Sequence, residues 1–191
     1  SVTSIGRSAF QYCVGAKSVT IPDSVSTIGE RAFGYVKNII YHGSATGSPW
    51  GALTMNGTVD GGFIYADAAK TQLTAYVGNG GSVSIPDGVV SIGKAAFAES
   101  AVTSVTIPNS VTSIGYDAFW GCENLTSVSV GNSVTRVGAY AFDPEGCENL
   151  QYNEYDNAYY LGNSQNPYVI LVQAKSDTIT HCNIHTNTKA I

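Results

Sequence analysis

Charge is scarce in this chain. Asp, Glu, Lys and Arg make up 12% of its 191 residues, about half the usual share of roughly 25%. Exposed helix faces need Glu and Lys, so the composition argues against a helical enzyme. Basic residues number 9 against 14 acidic ones, and the formal net charge is −5. No Lys/Arg run or patch occurs, so no nucleic-acid partner is expected. No apolar run approaches the roughly 20 residues of a spanning helix, so no membrane insertion is expected either. The four cysteines, Cys13, Cys122, Cys147 and Cys182, are too few and too scattered to be a disulfide framework.

The polarity comes instead from Ser, Thr, Asn and Gly, beside a hydrophobic share of 43%. Thr, Val, Ile and Tyr fit a pleated surface, so the composition points to β-structure. The order of the residues is more telling. The phrase Ser-Val-Thr-Ser-Ile-Gly opens the chain at Ser1–Gly6 and returns at Ser110–Gly115. Longer versions begin at Ser18, Ser82, Ser104 and Ser127, with a period of about 23 residues. In each, a Phe follows the strand-end Ile or Val by twelve residues: Ile21 to Phe33, Ile85 to Phe97, Ile107 to Phe119 and Val130 to Phe142. Length varies only after the Phe, where a loop belongs.

Each unit begins as Leu125-Thr126-Ser127-Val128-Ser129-Val130 does. Side chains alternate along a strand, so Val128 and Val130 face inward while Ser127 and Ser129 face outward. A second apolar set, Val111, Ile114, Ala118 and Phe119, is spaced by three to four but broken by glycine. It predicts a turn, an extended or short helical segment, then a return loop opposite the strand. A lone unit cannot bury its apolar face; stacked units share one core. The chain reads as one solenoid over residues 1–191, expected to be a fragment cut mid-repeat at both ends, since His181–Ile191 aligns with Ser104–Ile114 and stops before the glycine.

The recurring Ile-Pro, Ser-Ile-Gly and Ala-Phe steps at 104–125, 18–36, 82–102 and 127–150 resemble the BspA-like leucine-rich repeat of bacterial surface proteins. The resemblance implies a right-handed leucine-rich-repeat superhelix with parallel strands on one face. It also implies a non-catalytic, secreted or surface-exposed protein that mediates adhesion, and such proteins are associated with host matrix proteins such as fibronectin and fibrinogen.

Two stretches break the period, at about 42–79 and 152–178. The first opens with a degenerate unit in which Ala52-Leu53 stands where Ala-Phe belongs, twelve residues after Tyr41. It continues with strand-like runs at 63–66 and 73–77. The second holds Ala158–Leu161, a polar turn, then Tyr168–Val172. Both read as versions of one β-hairpin module that leads into the next repeat.

Within this frame no catalytic or metal pattern is convincing. His181-Cys182-Asn183-Ile184-His185 falls on a repeat strand, which would put its imidazoles roughly 13 Å apart, too far for one ion. Cys13 and Cys122 lie three residues after a Phe and Cys147 five after, one packing slot, where thiols unreactive until unfolding are expected. A Cys122–Cys147 bond between adjacent units stays open. Gly78–Gly81 is followed by no Lys-Ser/Thr and no helix, so it is not a phosphate loop. No catalytic residue, metal or cofactor is assigned.

A binding surface remains. The outward strand positions include Ser104, Thr106, Ser127 and Ser129, a uniform hydroxyl face, together with Ser18, Thr20, Asn38, Ile40, Ser82 and Ser84. The insertions add Trp50, Tyr65, Tyr76, Tyr159, Tyr160 and Tyr168, the residue types in which interface energy concentrates. About half of these rings are expected to face inward, because Tyr159 and Tyr160 are strand neighbours. The expected partner is an extracellular protein touching the hairpins and the adjoining strand face. A ligand-free spacer and a glycan-binding module using the inserted Tyr and Trp are the alternatives.

Overall fold

The alternation of Ser and Val becomes a stacked, two-faced coil in a computed structural model, which describes residues Ser1–Ile191. Near the start lie β1 (Ser4–Ile5), β2 (Val19–Thr20), β3 (Thr27–Ile28) and β4 (Ile39–Ile40). A meander follows, β5 (Val59–Asp60), β6 (Phe63–Tyr65) and β7 (Gln72–Tyr76). The central turns contribute β8 (Gly81–Ser84), β9 (Ser91–Ile92), β10 (Val102–Ile107), β11 (Ser113–Ile114), β12 (Ser127–Val130) and β13 (Arg136–Val137). A second meander, β14 (Asn153–Tyr155), β15 (Ala158–Leu161) and β16 (Ile170–Ala174), comes last.

The strand face is the parallel sheet β8-β10-β12, in which Ser104 pairs with Ser82 and Ser127, and Val105 with Val83 and Val128. Identical slots therefore stack on identical slots. Val105, Ile107 and Val130 are buried while Thr106, Ser127 and Ser129 are exposed. On the far side the second apolar set makes another parallel ladder, β7-β9-β11-β13, and no helix forms. The helical segments allowed by the sequence are thus absent, for a local reason. The second residue after each Ile-Gly step is left-handed, at Ser8, Arg31, Ala95, Asp117 and Tyr140 (φ 52–57°). So is the second residue after Phe, at Tyr12, Tyr35, Glu99 and Gly121 (φ 51–69°). Single left-handed residues interrupt the run of i→i−4 bonds and bend the chain into an arch.

Phe97 stacks on Phe119, and Phe119 on Phe142, each at 4.8 Å. All three are buried, as the constant twelve-residue spacing predicts. Tyr76 extends the column, 5.0 Å from Phe97, and its amide bonds to Ala96 O as a repeat Phe would. So β7 is at once the last strand of the hairpin and the back strand of a repeat turn, with Leu73 opposite Ile92. The second module is alike: β14, β15 and β16 are antiparallel neighbours, and Ile170 bridges to Ala190.

The degenerate unit departs from the expected register. Phe33 N–H bonds to Trp50 O and Ile39 bridges to Met55. Trp50 therefore holds the place before the Phe slot, and Leu53 lies on the approach to the next strand position. The loop is shorter than a full turn, so a count of residues from Tyr41 misplaces it. The stretch His181–His185 also forms no strand; His185 instead stacks at 4.1 Å on Tyr168.

The slot after the Phe holds Cys13, Val36, Ser100, Cys122 and Cys147. Cys122 Sγ donates to Phe97 O and Cys147 Sγ to Phe119 O, both at 3.1 Å, and no disulfide forms. Burial pushes the Cys147 thiol up to about 12 and raises Cys122 as well. Cys13 stands at the open side of the stack and is exposed, so it departs from the expectation for this slot. Native-state labelling should modify Cys13 within minutes, while Cys122 and Cys147 should label only on unfolding. Mass spectrometry of a labelling time course reads this directly.

The interior is two clusters, one of 10 residues from Ile21 to Ala52 and one of 29 from Phe63 to Ala190. Lysines cross the junction. Lys17 Nζ donates to Gly78 O at 2.9 Å, and the buried Lys37 Nζ to Tyr76 O at 3.0 Å. Burial, offset in part by the nearby Cys122, drops Lys37 from 10.5 to about 8. Its folded pKa is the lower one, so between pH 8 and 10.5 the unfolded chain binds more protons and stability rises with pH. Below pH 8 the penalty is present in full, of order 3 kcal/mol at 1.36 kcal/mol per pKa unit. Lys37→Met removes this penalty and should raise stability at pH 7 by about 1–3 kcal/mol, less than the full amount because Tyr76 O loses its donor, and this advantage should vanish by pH 10.5. Urea unfolding of both proteins at the two pH values tests the sign.

The arches carry strain of their own. Glu99 is left-handed (φ 51°) and exposed, and the same slot holds a glycine at Gly121. Glu99→Gly should stabilise by about 0.5–1 kcal/mol, the left-handed cost less the added backbone entropy. A urea midpoint that rises confirms it; one that falls refutes it.

Candidate binding surface

The hydroxyl positions on the central strand face are drawn together by register. Ser104 Oγ donates to Ser82 Oγ at 2.8 Å, and Ser104, Thr106, Ser127 and Ser129 tile two neighbouring strands. Not every outward position of the expected set is open. Asn38 is buried, where its side chain donates to Gly57 O at 3.2 Å and accepts from Gly57 N at 3.1 Å. Ile40 is half-buried. The degenerate loop covers the β4 part of the face, while Ser18 and Thr20 on β2 and the β8-β10-β12 part stay open.

The second hairpin stands over that part. Gly162 bridges to Ser129 and its carbonyl accepts from Val130 N, which fixes the hairpin to the last strand of the face. Asn163 Nδ2 donates to Val130 O at 2.7 Å and to Asn132 Oδ1 at 3.1 Å; its Oδ1 accepts from Gln165 N and Asn166 N, both at 3.0 Å. Asn153 Nδ2 donates to Pro167 O at 3.0 Å. With Ser164 these residues form a wall against the hydroxyl floor, around a recess of about 490 Å³. Floor and wall offer neutral hydroxyl and amide groups held in place by backbone bonds. Such a recess suits hydrogen-bonded recognition and holds no nucleophile beside a base.

The six inserted rings divide evenly. Trp50, Tyr76 and Tyr160 are buried and cannot touch a partner. The Trp50 indole donates to Thr46 O at 2.9 Å and meets Tyr41 edge-on. Tyr76 belongs to the Phe column. Tyr160 packs beneath Tyr155 and Tyr168, and burial holds its phenol above the ordinary range, hence neutral. Tyr65, Tyr159 and Tyr168 keep partial exposure. Tyr159 and Tyr160 do point oppositely, as strand neighbours must.

Rings absent from the expected set are the more exposed ones. Tyr12, Tyr140, Trp120 and Tyr116 are 67%, 58%, 42% and 41% exposed. They sit on the arches, in the variable slots flanking Ala-Phe. Tyr12 stacks on Tyr35 at 5.3 Å, Lys94 lies over the rings of Tyr35 (4.5 Å) and Tyr116 (5.4 Å), and Tyr116 meets Tyr140 at 5.7 Å. The signal was present in the repeat alignment, since a slot that changes from unit to unit does not pack the core. Beside Trp120, the next arches gather Glu99, Glu123, Asp143, Glu145 and Glu148 around a shallow acidic hollow.

Known proteins bear on this arrangement. Among solved structures, a leucine-rich cell surface protein of Faecalibacterium prausnitzii aligns with 88% of this chain at 23% identity and a TM-score of 0.53. This chain spans 41% of that one. Leucine-rich repeat proteins of Treponema pallidum (24% identity, 78% of this chain and 50% of that one, TM-score 0.34) and Bacteroides ovatus (18%, 83% and 60%, TM-score 0.31) also align. No curated protein matches the sequence. The model of the BspA type leucine rich repeat region matches in six copies, over residues 1–43 and 75–165. Those residues carry the stacked strands, the Ile-Gly steps and the Phe column, and more than half of the sequence, so the chain belongs to the BspA-type leucine-rich repeat family.

Proposed function

We propose that this chain is a non-catalytic binding module of a bacterial surface protein, and that it engages an extracellular protein through the recess between the β10-β12 hydroxyl floor and the second hairpin. The observation that carries the reading is the hairpin wall itself. A bare ladder of hydroxyls is the same from turn to turn and distinguishes no partner. Asn153 and Ser164, on a hairpin braced by the fully bonded Asn163, break that uniformity at one place. Host matrix proteins are the partner class that fits an adhesive role at the cell surface. The glycan reading loses three of its six rings to burial, and the spacer reading leaves the built wall without a purpose.

Immobilised matrix proteins and a glycan array separate these readings. Thr106, Ser127 and Ser129 point outward, so Ser127→Arg with Ser129→Arg should leave the melting temperature within a few degrees. The pair should weaken capture by a matrix protein at least about tenfold, or ~1.4 kcal/mol, and by more than Tyr159→Ala with Tyr65→Ala. Capture unaffected by the arginine pair would remove the recess from the interface. Binding to no protein on the panel would leave the chain a spacer.

A further inference from the structure

The solenoid has a seam. No main-chain hydrogen bond passes from residues 1–57 to residues 58–191, and β1 to β4 share no sheet with any later strand. Within either part successive turns are joined by such bonds, as Phe10 N is to Ala32 O at 2.7 Å and Phe97 N to Ala118 O at 2.8 Å. The first part has a core of its own, the 10-residue cluster, with Phe10 stacked on Phe33 at 5.3 Å. In a repeat array two neighbours are coupled only through the contacts at their interface, so the chain is loosely coupled at this one.

The polar contacts that do cross come from lysine. Lys17 Nζ donates to Gly78 O at 2.9 Å and to Asn79 Oδ1 at 3.4 Å, and Lys37 Nζ to Tyr76 O at 3.0 Å. From the other side Lys94 Nζ lies 4.5 Å from the centre of the Tyr35 ring. The apolar filling is thin. Ile64 is fully buried yet joins neither core cluster. Its strand neighbour Phe63 belongs to the large cluster, so Ile64 faces the other way, against Gly57, where an added Cβ would lie 2.6 Å from its methyl group. Toward the arches a hollow of about 300 Å³ separates Tyr35, Ala52 and Leu53 from Thr74, whose Oγ1 is buried without a partner. The buried Lys37 amine does not favour closure, since its charge is desolvated there and returns to water when the seam parts.

We propose that the seam is a hinge, at which residues 1–57 part from residues 58–191 as one folded unit, and that Lys17 and Lys94 are the latch that holds it shut. Both lysines are exposed in the closed form, and both contacts can be undone without breaking a turn. Acylation removes the charge and the donor on which each contact depends, so it frees the hinge. The device stands or falls independently of the hydroxyl recess and of any partner.

Acetylation of the 191-residue protein with limiting N-hydroxysuccinimide acetate, read as initial rates by mass spectrometry beside amide exchange by NMR, tests the hinge, because Lys37 is uncovered when the seam parts. Lys37 should react more slowly than the exposed Lys189, but by a factor at least about tenfold smaller than the protection of the Phe33 and Ile39 amides, since a seam parts before a stack unfolds. Lys17→Gln with Lys94→Gln should raise the Lys37 rate at least about tenfold, the combined loss of a charged hydrogen bond and a cation–π contact. These changes keep the fold, since Lys17 is exposed and the slot of Lys94 holds Arg7, Tyr116 and Ala139 in other turns. Lys175→Gln, which frees Glu154 on the second hairpin, should leave the Lys37 rate within about twofold, as a surface change away from the seam does. If the Lys37 amine is as protected as the Phe33 and Ile39 amides, it is uncovered only by unfolding and there is no hinge. A Lys37 rate indifferent to the double substitution, or raised as much by Lys175→Gln, would overturn the latch.

Discussion

Everything in this fold depends on how closely one turn lies on the next. At the Ile-Gly step the backbones touch: Gly115 N donates to Ile92 O and Gly138 N to Ile114 O, both at 2.8 Å. A Cβ on Gly115 would fall 2.6 Å from Gly93 C, and one on Gly138 2.3 Å from Tyr116 N. No larger residue fits without prising the turns apart. The approach at this corner holds successive strands at the parallel-sheet spacing of about 4.8 Å and sets Phe on Phe at the same 4.8 Å. Ladder spacing and ring stacking thus agree, and each turn is aligned by its neighbour at several points at once.

A lattice so tight confines variation to places that do not touch the next backbone. The arches are one such place, because the side chains of Arg7, Lys94, Tyr116 and Tyr140 there point out of the stack and are exposed. That is why Arg7, Lys94, Tyr116 and Tyr140 can differ from turn to turn while Ala118 and Phe119 cannot. The ends of a turn are the other, and both hairpins are spliced there. Each re-enters through a strand that takes up a repeat position, with Leu73 standing in for Ile and Tyr76 for Phe. The stacking thus resumes after each insertion, and the second one lifts a wall of Asn and Ser above the strand face. Binding capacity in this chain arises where regular stacking is interrupted.

Polar groups inside the stack follow the same economy. The slot after the Phe accepts Val, Ser or Cys, and its polar occupants satisfy a Phe carbonyl of the same or the preceding turn, as Ser100 and Cys122 both do with Phe97 O. Lys37 is the exception. It is buried at the junction of the two clusters with a single acceptor, and desolvation lowers its pKa. The junction gives up stability to join two stacks whose regular ladder is broken by the degenerate loop.

The sequence by itself determined the solenoid, its parallel strand face, the inward Val and outward Ser, the Phe column and the two hairpins, because each repeats a local pattern at a nearly fixed period. Turns whose helical state was left open proved to be arches, since left-handed conformations at Asp117 or Tyr140 carry no residue-type signature. The register of the degenerate loop, with Trp50 rather than Leu53 beside Phe33, and the burial of Trp50, Tyr76 and Tyr160 were decided only by tertiary structure. So was the hairpin wall over Ser127 and Ser129. Each of these depends on where a non-repeating segment comes to rest against a repeating one, and a periodic pattern holds no information about a segment outside its period.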